Sequence, residues 1–260
     1  MNAHIANEAQ ARPARLLSVR QLTRRYGGNI AVNDVSFDVD EGEILGIMGA
    51  NGAGKTTLFS MIAGNVAPSS GEILLQGRAI QGRPPEQVNA LGVARTFQIV
   101  RPFPGMTVLD NVAIGVMYGS GRTASPGAAR ERARALLAET GLERRADLPA
   151  AQLNLAGRKR LEITRALATQ PRLLLLDEVL AGLNATEVGE ALELIAAIRH
   201  RYRLSIVIIE HVMRALTRLS DRIVVLHEGR KVTEGLPEEV VADPRVIRAY
   251  LGERRDGSPS

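Results

Sequence analysis

The sequence predicts an α/β fold: a mainly parallel sheet covered by helices, an antiparallel β-subdomain and an inserted helical subdomain. Three observations carry this. The stretch Gly49-Ala50-Asn51-Gly52-Ala53-Gly54-Lys55-Thr56 lies between an apolar run and residues at helical spacing. Apolar runs at 173–176, 205–209 and 223–226 alternate with helical segments, the mark of parallel strands buried on both faces. Leu17 and Val19, Val35, Phe37 and Val39, and Ile73 and Leu75 alternate with polar residues, as half-buried antiparallel strands do.

In chain order, residues 1–15 read as a flexible tail. Tyr26-Gly27-Gly28 turns between the first two strands. Ile44-Leu45-Gly46-Ile47-Met48 is a buried strand; after the glycine stretch, Leu58, Met61 and Ile62 share one helical face, and Gly64 then Pro68 stop that helix. A strand is expected from Val93 to Gln98. From 101 to about 157 the pattern turns helical and polar. Thr107 caps a helix through Val108, Val112 and Val116, residues 119–127 form a loop, and an arginine-rich helix at 128–139 closes at Gly141. A helix at 158–169 ends before Pro171. Asn184-Ala185-Thr186-Glu187 has the spacing of a capping box and opens a helix to about Arg199. A short helix at 211–219 and two more within 237–251 complete the chain, and 253–260 is a second tail.

The whole chain sets bounds. Its 260 residues, 45% hydrophobic, suffice for one large domain with a subdomain. There is no cysteine, so disulfides and thiolate-held metals are excluded. No apolar run approaches the ~20 residues needed to span a bilayer, and the first fifteen residues lack the apolar core of a secretory signal. These features predict a soluble, cytoplasmic chain. The net charge is +5, but aromatic residues are only 3%, too few for base-stacking platforms. No nucleic-acid partner is expected. Of 33 basic residues only Lys55, Lys159 and Lys231 are lysines, so a compact ammonium is retained at few places.

The glycine stretch fits G-x-x-x-x-G-K-[ST], and strand, loop and helix are the context this phosphate chemistry needs. Its backbone N–H groups can turn toward phosphate oxygens at a helix N-terminus. Lys55 reaches the β- and γ-phosphates and Thr56 holds Mg²⁺. The core therefore reads as a P-loop NTPase. Leu173-Leu174-Leu175-Leu176-Asp177-Glu178 ends a buried strand in two acids. Asp177 suits Mg²⁺ held through water, and Glu178 suits polarising the attacking water; the alternative is an acidic turn. Gln98 lies where the core meets the helical insert and can touch Mg²⁺ or water. His211 follows the strand at 205–209 and can donate to a γ-phosphate; a cap or surface histidine is the alternative. His4, His200 and His227 read as surface residues.

The order of phosphate loop, Gln98, Asp177-Glu178, Ala181-Gly182-Leu183-Asn184 and His211 resembles the ATP-binding subunits of ABC transporters, over roughly residues 16–252. Arg95-Thr96-Phe97-Gln98 and Leu161-Glu162-Ile163 before Arg165-Ala166-Leu167-Ala168-Thr169 resemble the branched-chain amino acid importer group. The resemblance implies an ATPase that binds ATP and Mg²⁺ and energises import of branched-chain amino acids or similar small solutes. Gly49, Asn51, Gly52, Ala53, Gly54, Lys55, Thr56 and Thr57 bind the triphosphate, and Tyr26 stacks on adenine unless it packs on the sheet. Thr56, Gln98 and Asp177 serve the metal, Glu178 is the general base, and His211 contacts the γ-phosphate. Gly182 and Asn184 lie at a dimer seam. The implied partners are membrane permease subunits, a second ATP-binding subunit in a hetero- or homodimer, and indirectly a solute-binding protein. The implied location is the inner face of the cell membrane. An exporter or lipid-transport ATPase, or a soluble ABC-type ATPase, is the alternative.

The chain departs from the family pattern in two places. Where the signature usually reads Leu-Ser-Gly-Gly-Gln, it has Leu153-Asn154-Leu155-Ala156-Gly157. The resemblance gives Asn154, Ala156 and Gly157 to the partner's nucleotide, yet Ala156 replaces a closely approaching glycine. Val179 replaces the usual proline after the acidic pair. A slower site completed by this signature and a loop reaching the phosphate by another geometry both remain open.

Overall fold

The computed structural model describes residues 14–96, 102–120 and 125–251. Gln98 lies outside the described residues. Strand β1 (Arg15–Tyr26) turns at Gly27 and Gly28 into β2 (Asn29–Asp40), and β4 (Ser70–Leu75) and β5 (Arg78–Ala79) complete an antiparallel sheet ordered β2-β1-β4-β5. The second sheet contains β3 (Ile44–Met48), β6 (Val93–Arg95), β7 (Leu173–Asp177), β8 (Ser205–Ile209), β9 (Arg222–His227) and β10 (Arg230–Gly235), ordered β10-β9-β3-β8-β7-β6. All its neighbours pair in parallel except β10, which returns antiparallel on β9. This last strand escaped the sequence reading. It turns through Glu228 and Gly229, both at positive φ, the conformation that tight hairpins require.

Every residue of β3, β7 and β8 is buried, because both faces of the sheet are covered. Alternate side chains therefore serve two cores. Leu45, Ile47, Leu175 and Val207 join the core under the antiparallel sheet and α1 (Lys55–Ile62). Met48, Leu174, Leu176 and Ile206 join the other, with Ile195 of α6 (Ala185–Tyr202) and Leu216 of α7 (Met213–Leu219). Each fully buried leucine or isoleucine contributes about 1.5–3 kcal/mol, so the strand register is strongly specified.

Between the sheets' segments lie α2 (Pro85–Ala90), α3 (Val108–Tyr118), α4 (Pro126–Glu139) and α5 (Leu155–Ala168). Thr107 caps α3 by accepting from the Asp110 N–H at 3.0 Å. Val112 and Val116 of α3 meet Leu136 and Leu137 of α4 and Leu161 of α5 in one core. Fully buried Asn111 pins the approach to α3, bonding both the N–H and the carbonyl of Phe103. Helix α5 begins at Leu155, ahead of the expected 158, because Asn154 caps it. Asn184 opens α6 with the expected capping box, its Oδ1 accepting from Glu187 N–H and its own N–H donating to Glu187, both at 3.0 Å. Helices α8 (Pro237–Ala242) and α9 (Pro244–Leu251) are the last elements of the described residues.

Candidate functional site

The parallel register aligns three strand ends: Ile47 of β3 pairs with Ile209 of β8, which pairs with Asp177 of β7. The chemistry-bearing segments follow directly, at the carboxyl edge where ligands bind in open α/β sheets. The loop after β3 runs from Gly49 to Gly54. A Cβ at Gly49 would stand 2.5 Å from the Leu226 carbonyl oxygen, and one at Gly54 2.4 Å from that of Ala31. Gly54 also has φ +95 and caps α1 without a side-chain bond. The first N–H groups of α1 are thus left to a ligand. Lys55 Nζ donates to the carbonyls of Gly49 and Ala50 at 2.6 and 2.9 Å, inside the loop it follows. Burial pushes its pKa down, opposed by the charges of Glu178 and Asp177.

A cavity of about 690 Å³ brings together Tyr26, Asn51, Gly52, Lys55, Thr56 and Glu178. Ala53, Gly54 and Thr57 line it as well. Tyr26 is half exposed, with the Arg24 guanidinium 4.4 Å from its ring centroid. A larger cavity of about 1210 Å³ opens beside Arg172 and Arg199, at the opposite end of the strands. Among the described residues, none of the expected site residues lines that one.

Asp177 is 1% exposed. Its Oδ2 accepts from Arg95 Nη2 at 2.7 Å, and its N–H donates to Thr96 Oγ1 at 3.1 Å. Its Oδ1 is buried with no hydrogen-bond partner among the described residues. Such an orphaned carboxylate oxygen fits a metal-bound water, and Thr56 lines the neighbouring cavity. Glu178 stands at φ +50. Its carboxylate Oε1 lies 2.5 Å from His211 Nε2, and its carbonyl accepts from Lys159 Nζ at 2.8 Å. The structure therefore joins Glu178, His211, Lys55 and Asp177 at one edge.

It does not bring Asn154, Ala156 and Gly157 to this cavity. They form the first turn of α5, where Asn154 Oδ1 accepts from the Gly157 N–H at 2.9 Å. A side chain at 157 would crowd Asn154 Oδ1 and Arg145 Nη1, at 2.9 and 3.1 Å. That explains locally why glycine stands there. Leu155, 45% exposed, reaches to 3.0 Å from where a Cβ on Gly182 would lie. Sequence reasoning missed three residues of the site's surroundings: Arg95 as the partner of Asp177, and the buried pair Lys159 and Glu210. The scarcity of lysine was the one signal that pointed to Lys159.

Fold and site together define a nucleotide-binding cassette. A family model described as ABC transporter matches residues 32–181, and one described as Branched-chain amino acid ATP-binding cassette transporter matches 230–256. The chain belongs to the ABC transporter family and is one of its ATP-hydrolysing subunits. It is 42% identical to the high-affinity branched-chain amino acid transport ATP-binding protein LivG of Escherichia coli (strain K12), over 92% of this chain and 98% of that protein. It is 38% identical to the lipopolysaccharide export system ATP-binding protein LptB of Acidithiobacillus ferridurans, over 92% and 98%. The crystal structure of the ADP conformation of MJ1267, an ATP-binding cassette of an ABC transporter, superposes with a TM-score of 0.83 at 27% identity. That match covers 92% of this chain and 99% of the other.

Proposed function

We propose that this chain energises an importer of branched-chain amino acids or similar small organic solutes. The observation that carries the mechanism is the meeting of Glu178, His211 and Lys55 at aligned strand ends. The similarity to LivG and the C-terminal match at 230–256 favour the importer reading over the exporter reading that the similarity to LptB raises.

In this reading Tyr26 stacks on the adenine. The N–H groups of 49–57 and Lys55 bind the triphosphate, Lys55 exchanging its two loop carbonyls for phosphate oxygens. Thr56 and Asp177 hold Mg²⁺, with Gln98 as a further contact. When bound, that ion offsets the charge of the β- and γ-phosphates. Glu178 orients and deprotonates the attacking water, and His211 holds the Glu178 carboxylate in place and donates to the γ-phosphate. Asn154, Ala156 and Gly157 face the nucleotide of a second ATP-binding subunit, with Gly182 and Asn184 at the seam.

Residues of about 101–157 form a helical subdomain, and the segment around Gln98 to Tyr118 passes the motion to permease subunits. The groove lined by Ala94, Phe103, Ile114, Tyr118 and Arg165 supports this, since Phe103 and Tyr118 are 43% and 72% exposed. No helix among the described residues is long and apolar enough to cross a membrane. In this reading the subunit sits peripherally on the inner membrane face, through its permease subunits.

The test uses Glu178→Gln. Turnover is expected to fall about 10²–10⁴-fold with ATP binding retained. Captured from gently solubilised native membranes with ATP present, this variant should bring polytopic permease subunits with it. Recovery of only soluble proteins would overturn the transport reading, and recovery of an exporter would overturn the import reading.

A further inference from the structure

Only three lysines occur in the chain: Lys55 in the phosphate loop, Lys231 on β10 paired with Glu234, and Lys159. Lys159 is 6% exposed and lies on the second turn of α5. Its Nζ donates to the carbonyl oxygen of Glu178 at 2.8 Å. Around it stand the carboxyl groups of Glu162, Glu178 and Glu210. Glu210, 1% exposed, follows the last residue of β8 and precedes His211, and its Oε1 accepts from the Leu180 N–H at 2.8 Å. Burial lowers the pKa of Lys159 and raises that of Glu210 to about 7, while each charge supports the other.

Glu178 needs such support. Its φ of +50 is a conformation that L residues with a Cβ rarely keep, and one that persists only where the surroundings over-determine it. Here its N–H donates to the Ile209 carbonyl at 3.0 Å, its carbonyl takes Lys159, and the turn that follows is held by Glu210. A compact ammonium suits this box. It presents several donors from one point, where a guanidinium would bring a planar fork.

We propose that Lys159, with Glu210 as its counter-charge, is a positioning residue for hydrolysis: it holds the backbone of Glu178 so that the carboxylate faces the nucleotide cavity and His211. This rests on the reading of Glu178 as the general base. Its Nζ bonds the Glu178 carbonyl, and it acts through that residue.

The single change Lys159→Met leaves Glu210 buried without its cation and endangers the fold. The informative variant is therefore Lys159→Met with Glu210→Gln, which removes both charges and leaves an acceptor for Leu180 N–H. ATP turnover, ATP affinity and thermal unfolding are measured beside wild type and Glu178→Gln. The expected result is a folded protein whose ATP dissociation constant stays within about threefold while kcat falls about tenfold or more, the signature of a misplaced base. If Glu178→Gln is inactive but the double variant turns over within about twofold of wild type, the positioning role is overturned and the base assignment stands. A double variant that unfolds, or loses affinity and kcat together, makes Lys159 a structural strut and overturns the proposal. If Glu178→Gln keeps its turnover, the base assignment itself fails and the proposal with it.

Discussion

Two helix N-termini in this molecule, those of α1 and α5, are built on opposite plans. Gly54 caps α1 at φ +95 with no side-chain bond, and no acid lies in the first turn. Its donors wait for an external anion, and Lys55 meanwhile folds back on loop carbonyls. Helix α5 is capped by its own Asn154, which satisfies the Gly157 N–H, and its second turn is anchored by Lys159. The first terminus is completed by ligand and the second by the chain. A side-chain cap consumes a donor that a phosphate would otherwise use. The α5 terminus thus stands ready-made, capped from within the chain.

Breaking the open terminus should have the largest effect. Gly54→Ala places a Cβ 2.4 Å from the Ala31 carbonyl oxygen at a positive φ. We expect a loss of about 1–3 kcal/mol in stability and a fall in ATP affinity of about tenfold or more, read by denaturant unfolding and titration calorimetry. Affinity unchanged from wild type would mean that the glycine geometry does not hold the donors open.

The anchoring of α5 carries a pH dependence of the next size. Burial raises Glu210 from an ordinary 4.5 to about 7, so between those values the folded state binds more protons than the unfolded chain. Stability contributed by the protonated form is present at low pH and declines as pH rises from about 4.5 to 7. Glu210→Gln should remove this slope, worth on the order of 2–3 kcal/mol across the window. Unfolding curves at pH 5 and 8 for both proteins should converge at the lower value and separate at the higher, within about those limits. Parallel curves would show that Lys159 keeps Glu210 ionised throughout.

The smallest effect sharpens the contrast. Asn154→Ala should cost about 1 kcal/mol of stability and leave ATP binding by the isolated subunit within about twofold of wild type. A large loss of ATP affinity in the isolated subunit would mean that the two termini serve one site within a single chain, and the comparison would fail.

The lesson of α5 extends to what could be read in advance. The phosphate loop was legible because its constraints are local: glycines for close approach, a lysine, a hydroxyl, and strand and helix patterns on either side. Asp177-Glu178 and His211 were legible because they follow apolar runs. The start of α5 was not, because Asn154 has no helical pattern before it and Leu-Ala-Gly looks like a loop until the cap is seen. Strand β10 was missed because Arg230-Lys231-Val232 offers little apolar alternation; β9 alone makes it a strand.

By itself, then, the amino-acid order determined the strand–helix alternation, the phosphate loop and the acids at the strand ends. These depend on period, propensity and short-range backbone geometry. Tertiary structure alone decided that Arg95 holds Asp177 across 82 residues, that Lys159 holds the Glu178 carbonyl, and that Glu210 stays buried near neutrality. Burial and charge pairing depend on which strands become neighbours, and a parallel sheet makes neighbours of segments far apart in the chain.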